Sequence, residues 1–246
     1  MSKNNSKTKV SITAIVIFGG NYNKKLLESA KKSVSWCSEL ILINGTKGNF
    51  SDWRNEGLKK AKGDWVLYVD SDEEVSENLK IEICKLIGNW KLEIDNFAYA
   101  IPRRNIIFNK EFKYSGQYPD YQKRLFKKDK LTKWIGEVHE EPIVDGEIGY
   151  LKNAIIHHKN MTISEMVEKT NNWSEIEAEL MFKASHPKMN FIRFASAGFR
   201  EFMLRFIKQK AFLDGKEGVI YGIYQIYSKL ISYSKLWEKQ LSTIRT

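Results

Sequence analysis

The stretch Gly63-Asp64-Trp65-Val66-Leu67-Tyr68-Val69-Asp70-Ser71-Asp72-Glu73-Glu74 decides the fold. Trp65 to Val69 is an unbroken apolar run, mostly aromatic or β-branched, which reads as a strand buried on both faces. Acids begin abruptly where that run ends. Two similar runs precede it: residues 10–18, closed by Gly19-Gly20, and residues 39–43, closed by Asn44-Gly45. The segments between are helical in pattern. Residues 23–35 set Leu26, Leu27, Ala30 and Val34 on one side, and residues 52–61 follow a capping signal at Ser51 or Asp52. A helix over 78–87 and a fourth strand over 97–101 follow. Strands alternating with helices predict a parallel α/β sheet.

Beyond residue 101 the rhythm changes. Residues 105–145 read as loop-rich, with short apolar pieces at 106–108 and 125–126, and residues 154–157 read as one more short strand. From residue 163 the pattern is helical: 163–184, then 191–212 with aromatics interleaved with cations, then a Tyr-rich helix over 219–237. Gly215 and Gly218 separate the last two. Charge is uneven as well. The chain carries a net +10, and residues 101–133 supply +7 of it, from ten basic and three acidic residues. Such a field favours an anionic partner: phosphates, an acidic lipid surface or nucleic acid.

Length and composition bound the classes. With 246 residues, 42% hydrophobic and 13% aromatic, the chain suits one domain plus a small helical appendage and excludes disorder as the dominant state. Cys37 and Cys84 make neither a disulfide framework nor a zinc site, so a reducing cytosol is expected. No apolar run approaches the roughly 18 residues of a membrane helix, and the seven-residue run Ile12–Phe18 is short for a signal peptide. Neither secretion nor an integral anchor is expected. Nucleic acid is not an expected partner, since neither the aromatic strand pattern of an RNA-recognition sheet nor a helix-turn-helix is present.

Ligands of open α/β sheets bind beyond the carboxyl ends of the strands. Asn44, the Asp70-Ser71-Asp72 group and His157 fall at such ends. An Asp-x-Asp by itself also suits a solvated turn capping the next helix. Directly after a buried strand, it suits a hard cation that bridges the phosphates of a nucleoside diphosphate.

The residues from Asp52-Trp53-Arg54-Asn55-Glu56-Gly57-Leu58 to Asp70-Ser71-Asp72-Glu73 resemble the central signature of family 2 glycosyltransferases of the GT-A fold. Tyr118 to Phe126, Gly136 to Glu140, Ile155 to His157 and Phe212 to Gly218 are similar to the branch of lipopolysaccharide core glucosyltransferases. The resemblance implies a GT-A type, Rossmann-like, mostly parallel α/β sheet flanked by helices. It implies a catalytic domain over 8–160 and a helical extension over 161–246. It also implies an inverting hexosyltransferase-like enzyme with a nucleotide-diphosphate sugar donor, a divalent metal (Mn2+ or Mg2+) and a glycan acceptor, lipid-linked in the cell envelope.

Residue by residue, Asp72 matches the direct metal ligand. Asp70 faces the ribose or the metal, and His157 completes the metal shell or touches the diphosphate. Arg54, Asn55 and Ser71 match positions near the donor, and Arg124 one near the diphosphate. Asp120 matches the base that deprotonates the acceptor hydroxyl, with Glu140 as the other candidate. Arg103, Arg104 and His139 are expected at the acceptor or its phosphate. One feature departs from the family: its acidic turn after the second strand is here Ile43-Asn44-Gly45-Thr46-Lys47-Gly48. Asn44 still hydrogen-bonds a base edge as donor and acceptor, but the lost carboxylate also suits a non-catalytic sugar- or membrane-binding relative. For residues 191–212 the two readings are a packed helix with snorkelling cations and an interfacial helix on an anionic membrane. The second would attach the protein peripherally at the cytoplasmic face of the inner membrane.

Overall fold

The computed structural model describes residues 10–20, 22–88, 96–136, 140–159 and 162–242. The chain forms two compact units, Met1–Arg104 with Asp120–His158, and Asn105–Pro119 with Lys159–Thr246.

The first unit opens with β1 (Ile12–Gly19), α1 (Lys24–Ser33), β2 (Glu39–Gly45), α2 (Phe50–Lys60) and β3 (Trp65–Asp70). Next come β4 (Glu73–Val75), α3 (Glu77–Gly88) and β5 (Asn96–Ile107), whose last residues belong to the second unit. After the short β6 (Lys110–Glu111) the chain continues through β7 (Asp120–Lys127), β8 (Leu131–Ile135), β9 (Glu141–Val144), β10 (Glu147–Tyr150) and β11 (Ile155–Lys159). The main sheet runs β2-β1-β3-β7-β5-β11-β4, with β10 also on β5, and β8 pairs with β9 separately.

The expected parallel core is present, with β1 parallel to both β2 and β3. Alternation along β1 shows why it is buried on both sides. Ala14 and Val16 pack with Leu27, Leu79 and Ile83 of α1 and α3, whereas Ile15 and Ile17 pack with Ile43, Tyr68, Phe126 and Trp134.

The sheet departs from the sequence expectation beyond β3. The strand expected over 97–101 is β5, and β7 lies between it and β3, antiparallel to both. The apolar dipeptide Leu125-Phe126, expected in a loop, is the fully buried middle of that strand. β7 carries Lys123, Arg124 and Lys127 around so short an apolar centre that no strand pattern stands out in the sequence.

Helix α2 begins at Phe50, two residues before its expected start, with a cap ahead of Ser51 and Asp52. Asn49 is the N-cap and accepts from the Asp52 backbone N–H at 3.0 Å, while Asp52 reciprocates on the Asn49 N–H at 3.1 Å. The helix is pressed tightly against the end of β2. A methyl on Gly45 would lie 2.5 Å from the Trp53 ring, which itself donates to the Lys47 carbonyl. Gly45→Ala is therefore expected to lower the unfolding free energy by about 1–3 kcal/mol, read as a lower urea midpoint. An unchanged midpoint would mean that the ring gives way freely.

The second unit holds α4 (Ile163–Lys183), α5 (Phe191–Phe202), a π-helical turn at Met203–Lys208, a 3-10 turn at Ala211–Asp214, and α6 (Gly215–Ser242). Residues 105–119 group with this unit, although Asn105–Ile107 end β5 and Lys110–Glu111 pair with it as β6 in the main sheet. Buried Asp214 explains their place. Its carboxylate accepts from the Lys113 N–H at 2.9 Å, the Tyr114 N–H at 3.1 Å and the Ser115 hydroxyl at 2.8 Å. Leaving that carboxylate unsatisfied would be costly, so the loop and the turn before α6 are tied together. Among the described residues no helix is long and apolar enough to cross a membrane.

Candidate active site

The carboxyl end of β3 delivers Asp70 to the middle of an ion-pair network within the first unit. Its Oδ1 accepts from Arg54 Nη2 at 3.2 Å, and its Oδ2 accepts from Arg124 Nη2. Burial works to raise the Asp70 carboxyl, but Arg124, Arg54 and Arg103 outweigh it and hold the group well below the usual carboxylate range. Arg54 comes from the buried face of α2, lies 4.9 Å from the Trp134 ring and 5.6 Å from Tyr68, and also pairs with Glu140 at 3.1 Å. Burial pushes the Tyr68 phenol up, so it stays protonated and donates to the Arg54 carbonyl at 3.1 Å.

Sequence reasoning gave Glu73 no role, yet it is the fully buried hub of this network. Oε1 accepts from Arg124 Nη2 at 2.8 Å and lies 3.4 Å from Arg103 Nη1, while Oε2 accepts from the Asp70 backbone N–H at 3.1 Å. The only sequence signal was its place three residues after Asp70, where it reads as one more acid in a solvated run. Removing one partner of a buried ion pair leaves the other charge uncompensated. Glu73→Ala is thus expected to cost about 3–5 kcal/mol of stability, measured by denaturant unfolding. A loss within the few tenths of a surface site would contradict the hub role.

Asp120 opens β7 opposite Arg103 on β5. The Arg103 fork donates to one carboxylate oxygen at 2.9 and 2.6 Å, and Gln122 donates to the other at 2.8 Å. Its orientation is fixed, while a quarter of the side chain, 25 %, stays open to solvent. Asp72 contrasts with its neighbour Glu73, at 44 % side-chain exposure against 0 %. Its Oδ2 lies 3.5 Å from Nε2 of His157, a β11 residue in register with Glu73.

The structure therefore sorts the expected site residues. Asp70, Asp72, Asp120, Glu140, His157, Arg54, Arg103 and Arg124 meet at one end of the sheet. Within these ion pairs each of the three arginines is engaged by a protein carboxylate, while Arg54 Nε and Nη1 and Arg124 Nε are buried without a hydrogen-bond partner among the described residues. Asp70, expected on the ribose or the metal, has both oxygens taken by guanidinium groups. Asn55, expected near the donor, instead clamps β8: its amide donates to the Trp134 carbonyl at 2.9 Å and accepts from the Trp134 N–H at 2.8 Å. Asn44 is exposed at the end of β2, and Ser71 is half-buried with its N–H on the Ile17 carbonyl. Arg104 is half-buried on β5. His139 lies outside the described residues.

A divalent cation fits only part of the expected ligand set. Among the described residues, no three His, Cys, Asp or Glu side chains converge as ligands. The half-exposed Asp72 carboxylate and the buried His157 imidazole nevertheless make a donor pair that suits a cation when phosphate oxygens and water complete the shell. Beside it, ion pairs join Asp70, Glu73, Asp120 and Glu140 to Arg54, Arg103 and Arg124.

The sequence profile described as Glycosyl transferase family 2 matches residues 5–142, more than half of the chain. An uncharacterized glycosyltransferase of Rickettsia conorii is 26% identical over 192 residues, covering 73% of this chain and 66% of the relative. One from Rickettsia bellii is 24% identical, covering 73% and 64%. The chain thus spans slightly under two thirds of these relatives. Among solved structures, a Pyrobaculum calidifontis mannosyltransferase in complex with GDP-Man and Mn2+ aligns over 95% of this chain and 89% of its own, at 11% identity and a TM-score of 0.48. Staphylococcus aureus TarS 1-349 in complex with UDP aligns over 95% and 92%, at 11% identity and a TM-score of 0.41.

Proposed function

The chain belongs to glycosyl transferase family 2, and on that premise we propose that it moves a sugar, with inversion, from a nucleotide-diphosphate sugar to a hydroxyl of a glycan acceptor. The observation that carries this reading is the half-exposed Asp72 carboxylate 3.5 Å from the His157 imidazole, beyond the carboxyl end of β3. A nucleoside diphosphate is itself an anion, and a cation held there would offset its repulsion by these carboxylates. Bound at Asp72 and His157, a divalent metal (Mn2+ or Mg2+) supplies charge neutralisation for the departing diphosphate.

The remaining work falls to the chain's own groups. Asp120, held by Arg103 and Gln122, takes the proton of the attacking acceptor hydroxyl. Arg54 and Arg124 are positioning residues that fix Asp70, and so the start of the turn carrying Asp72. Asn44 and Ser71 line the donor side, where Asn44 meets the nucleotide base through its amide. Arg104 and His139 are assigned to the acceptor side. The resemblance to the lipopolysaccharide core branch supports a lipid-linked cell-envelope glycan as the acceptor, met at the cytoplasmic face of the inner membrane.

The test is release of nucleotide from a panel of UDP-, GDP-, ADP- and CMP-sugars, with and without Mn2+ or Mg2+. One nucleoside-diphosphate class turned over only with cation is the expected result. Tight binding without turnover of any donor or acceptor would favour the non-catalytic relative, and turnover indifferent to chelator would refute the metal assignment.

A further inference from the structure

Helix α5 has three distinct faces. Phe194 and Ala197 point inward, Phe194 against Trp237 of α6 at 6.0 Å between ring centroids, and Gly198 sits close to Leu230. Phe191, Ile192, Phe199 and Phe202 lie on another arc, as helical periodicity requires. Met203 and Ile207 of the π-helical turn continue the outward apolar surface. All six are exposed, with Phe191 and Ile192 at 76 % and Phe199 at 64 %. Single exposed apolar residues are ordinary; a run of this size along one helix and its turn marks an interaction surface.

Charge identifies the partner. Residues 188–216 contain seven cations and two acids. Both acids are engaged internally, Glu201 with Arg205 at 2.6 Å and Asp214 with the loop at 113–115. Arg193 and Arg200 are exposed beside the apolar arc, and Lys208 and Lys210 are exposed just beyond it, whereas Lys216 lies 3.9 Å from Glu217. A bulky apolar strip bordered by unopposed cations matches an anionic lipid surface, with the rings among the acyl chains and the cations at the headgroups.

We infer that the outward face of α5 and the turn after it docks on an anionic membrane as an in-plane helix. The inference is independent of the reaction proposed at β3. It stands on surface shape and charge in the second unit alone.

The experiment is flotation of the full chain with vesicles of phosphatidylethanolamine and phosphatidylglycerol, against pure phosphatidylcholine vesicles. The protein is expected to float with the anionic vesicles at least about tenfold better, and less so as salt rises. The double variant I192S/F199S changes two exposed side chains and should keep the fold, checked by its circular dichroism and urea midpoint. It should lose at least about tenfold in vesicle affinity, and R200E/K208E should lose binding to anionic vesicles in particular. Equal flotation of the folded I192S/F199S variant would overturn the inference. So would absence of wild-type flotation, and so would a dimer dissolved by I192S/F199S with no vesicle binding, which would assign the face to a second copy of the chain.

Discussion

Replacing Asp72 with alanine is expected to reduce donor turnover by about 10³-fold, the upper scale for losing one electrostatic contact to a developing charge, and to abolish the response to Mn2+. The reason lies in how the two aspartates are used. Asp70 is bound on both oxygens by Arg54 and Arg124, so its carboxylate stabilises the turn. Among the described residues no arginine pairs with Asp72, which keeps a half-exposed carboxylate beside His157. Asp72→Ala should leave the urea midpoint within about 0.5 kcal/mol of the wild type, as for an exposed site. Asp70→Ala should destabilise strongly, because two buried guanidiniums lose a partner. A variant that lost stability but retained metal-dependent turnover would reverse these roles.

The second large effect concerns the base. Asp120→Asn preserves shape and can keep the Gln122 contact, but its amide nitrogen then faces the Arg103 N–H donors, and the side chain cannot accept the hydroxyl proton. The maximal rate should fall between about 10² and 10⁴-fold, with nucleotide affinity within a factor of about two of the wild type. Glu140→Gln is the informative comparison, since Glu140 touches Arg54 and belongs to the same network. If Asp120 is the base, Glu140→Gln lowers the rate far less. The reverse ranking, measured as kcat at saturating donor and acceptor, would assign the proton to Glu140. Both rates are read beside unfolding midpoints, so that a damaged network is not mistaken for lost chemistry.

The parts of the fold that could be read in the sequence are those where one physical rule acts alone. Trp65 to Val69 is uniformly apolar because both faces of β3 are covered, and β1 alternates between two cores for the same reason. Strand β7 could not be read in the same way. Its buried centre is two residues long, and Arg124 beside it is buried by pairing with Asp70 and Glu73, not by hydrophobicity. No local pattern reports an ion pair across 51 or 54 residues. The same holds for the site. The positions that gather at the end of β3 were legible as a set through the family resemblance, but which charge meets which was not. Arg54, Arg103 and Arg124, expected on the donor and acceptor, pair with acids, Asn55 clamps β8, and Glu73 was hidden in an acidic run. In the second unit, the aromatic and basic mixture of residues 191–212 fitted either a packed or an interfacial helix. Only the exposure of Phe191, Ile192 and Phe199 separates the inward rings from the outward ones.

The central claim is that Asp72 and His157 receive a cation which makes the site accept a nucleoside diphosphate. The direct measurement is isothermal titration of UDP, GDP and ADP into the protein, with Mn2+ and with chelator, repeated on Asp72→Ala. The account predicts that one of these nucleotides binds at least about tenfold more tightly with Mn2+, a gain of about 1.4 kcal/mol, and that Asp72→Ala removes the gain. Equal affinity with and without the cation, or an undiminished gain in Asp72→Ala, would contradict it.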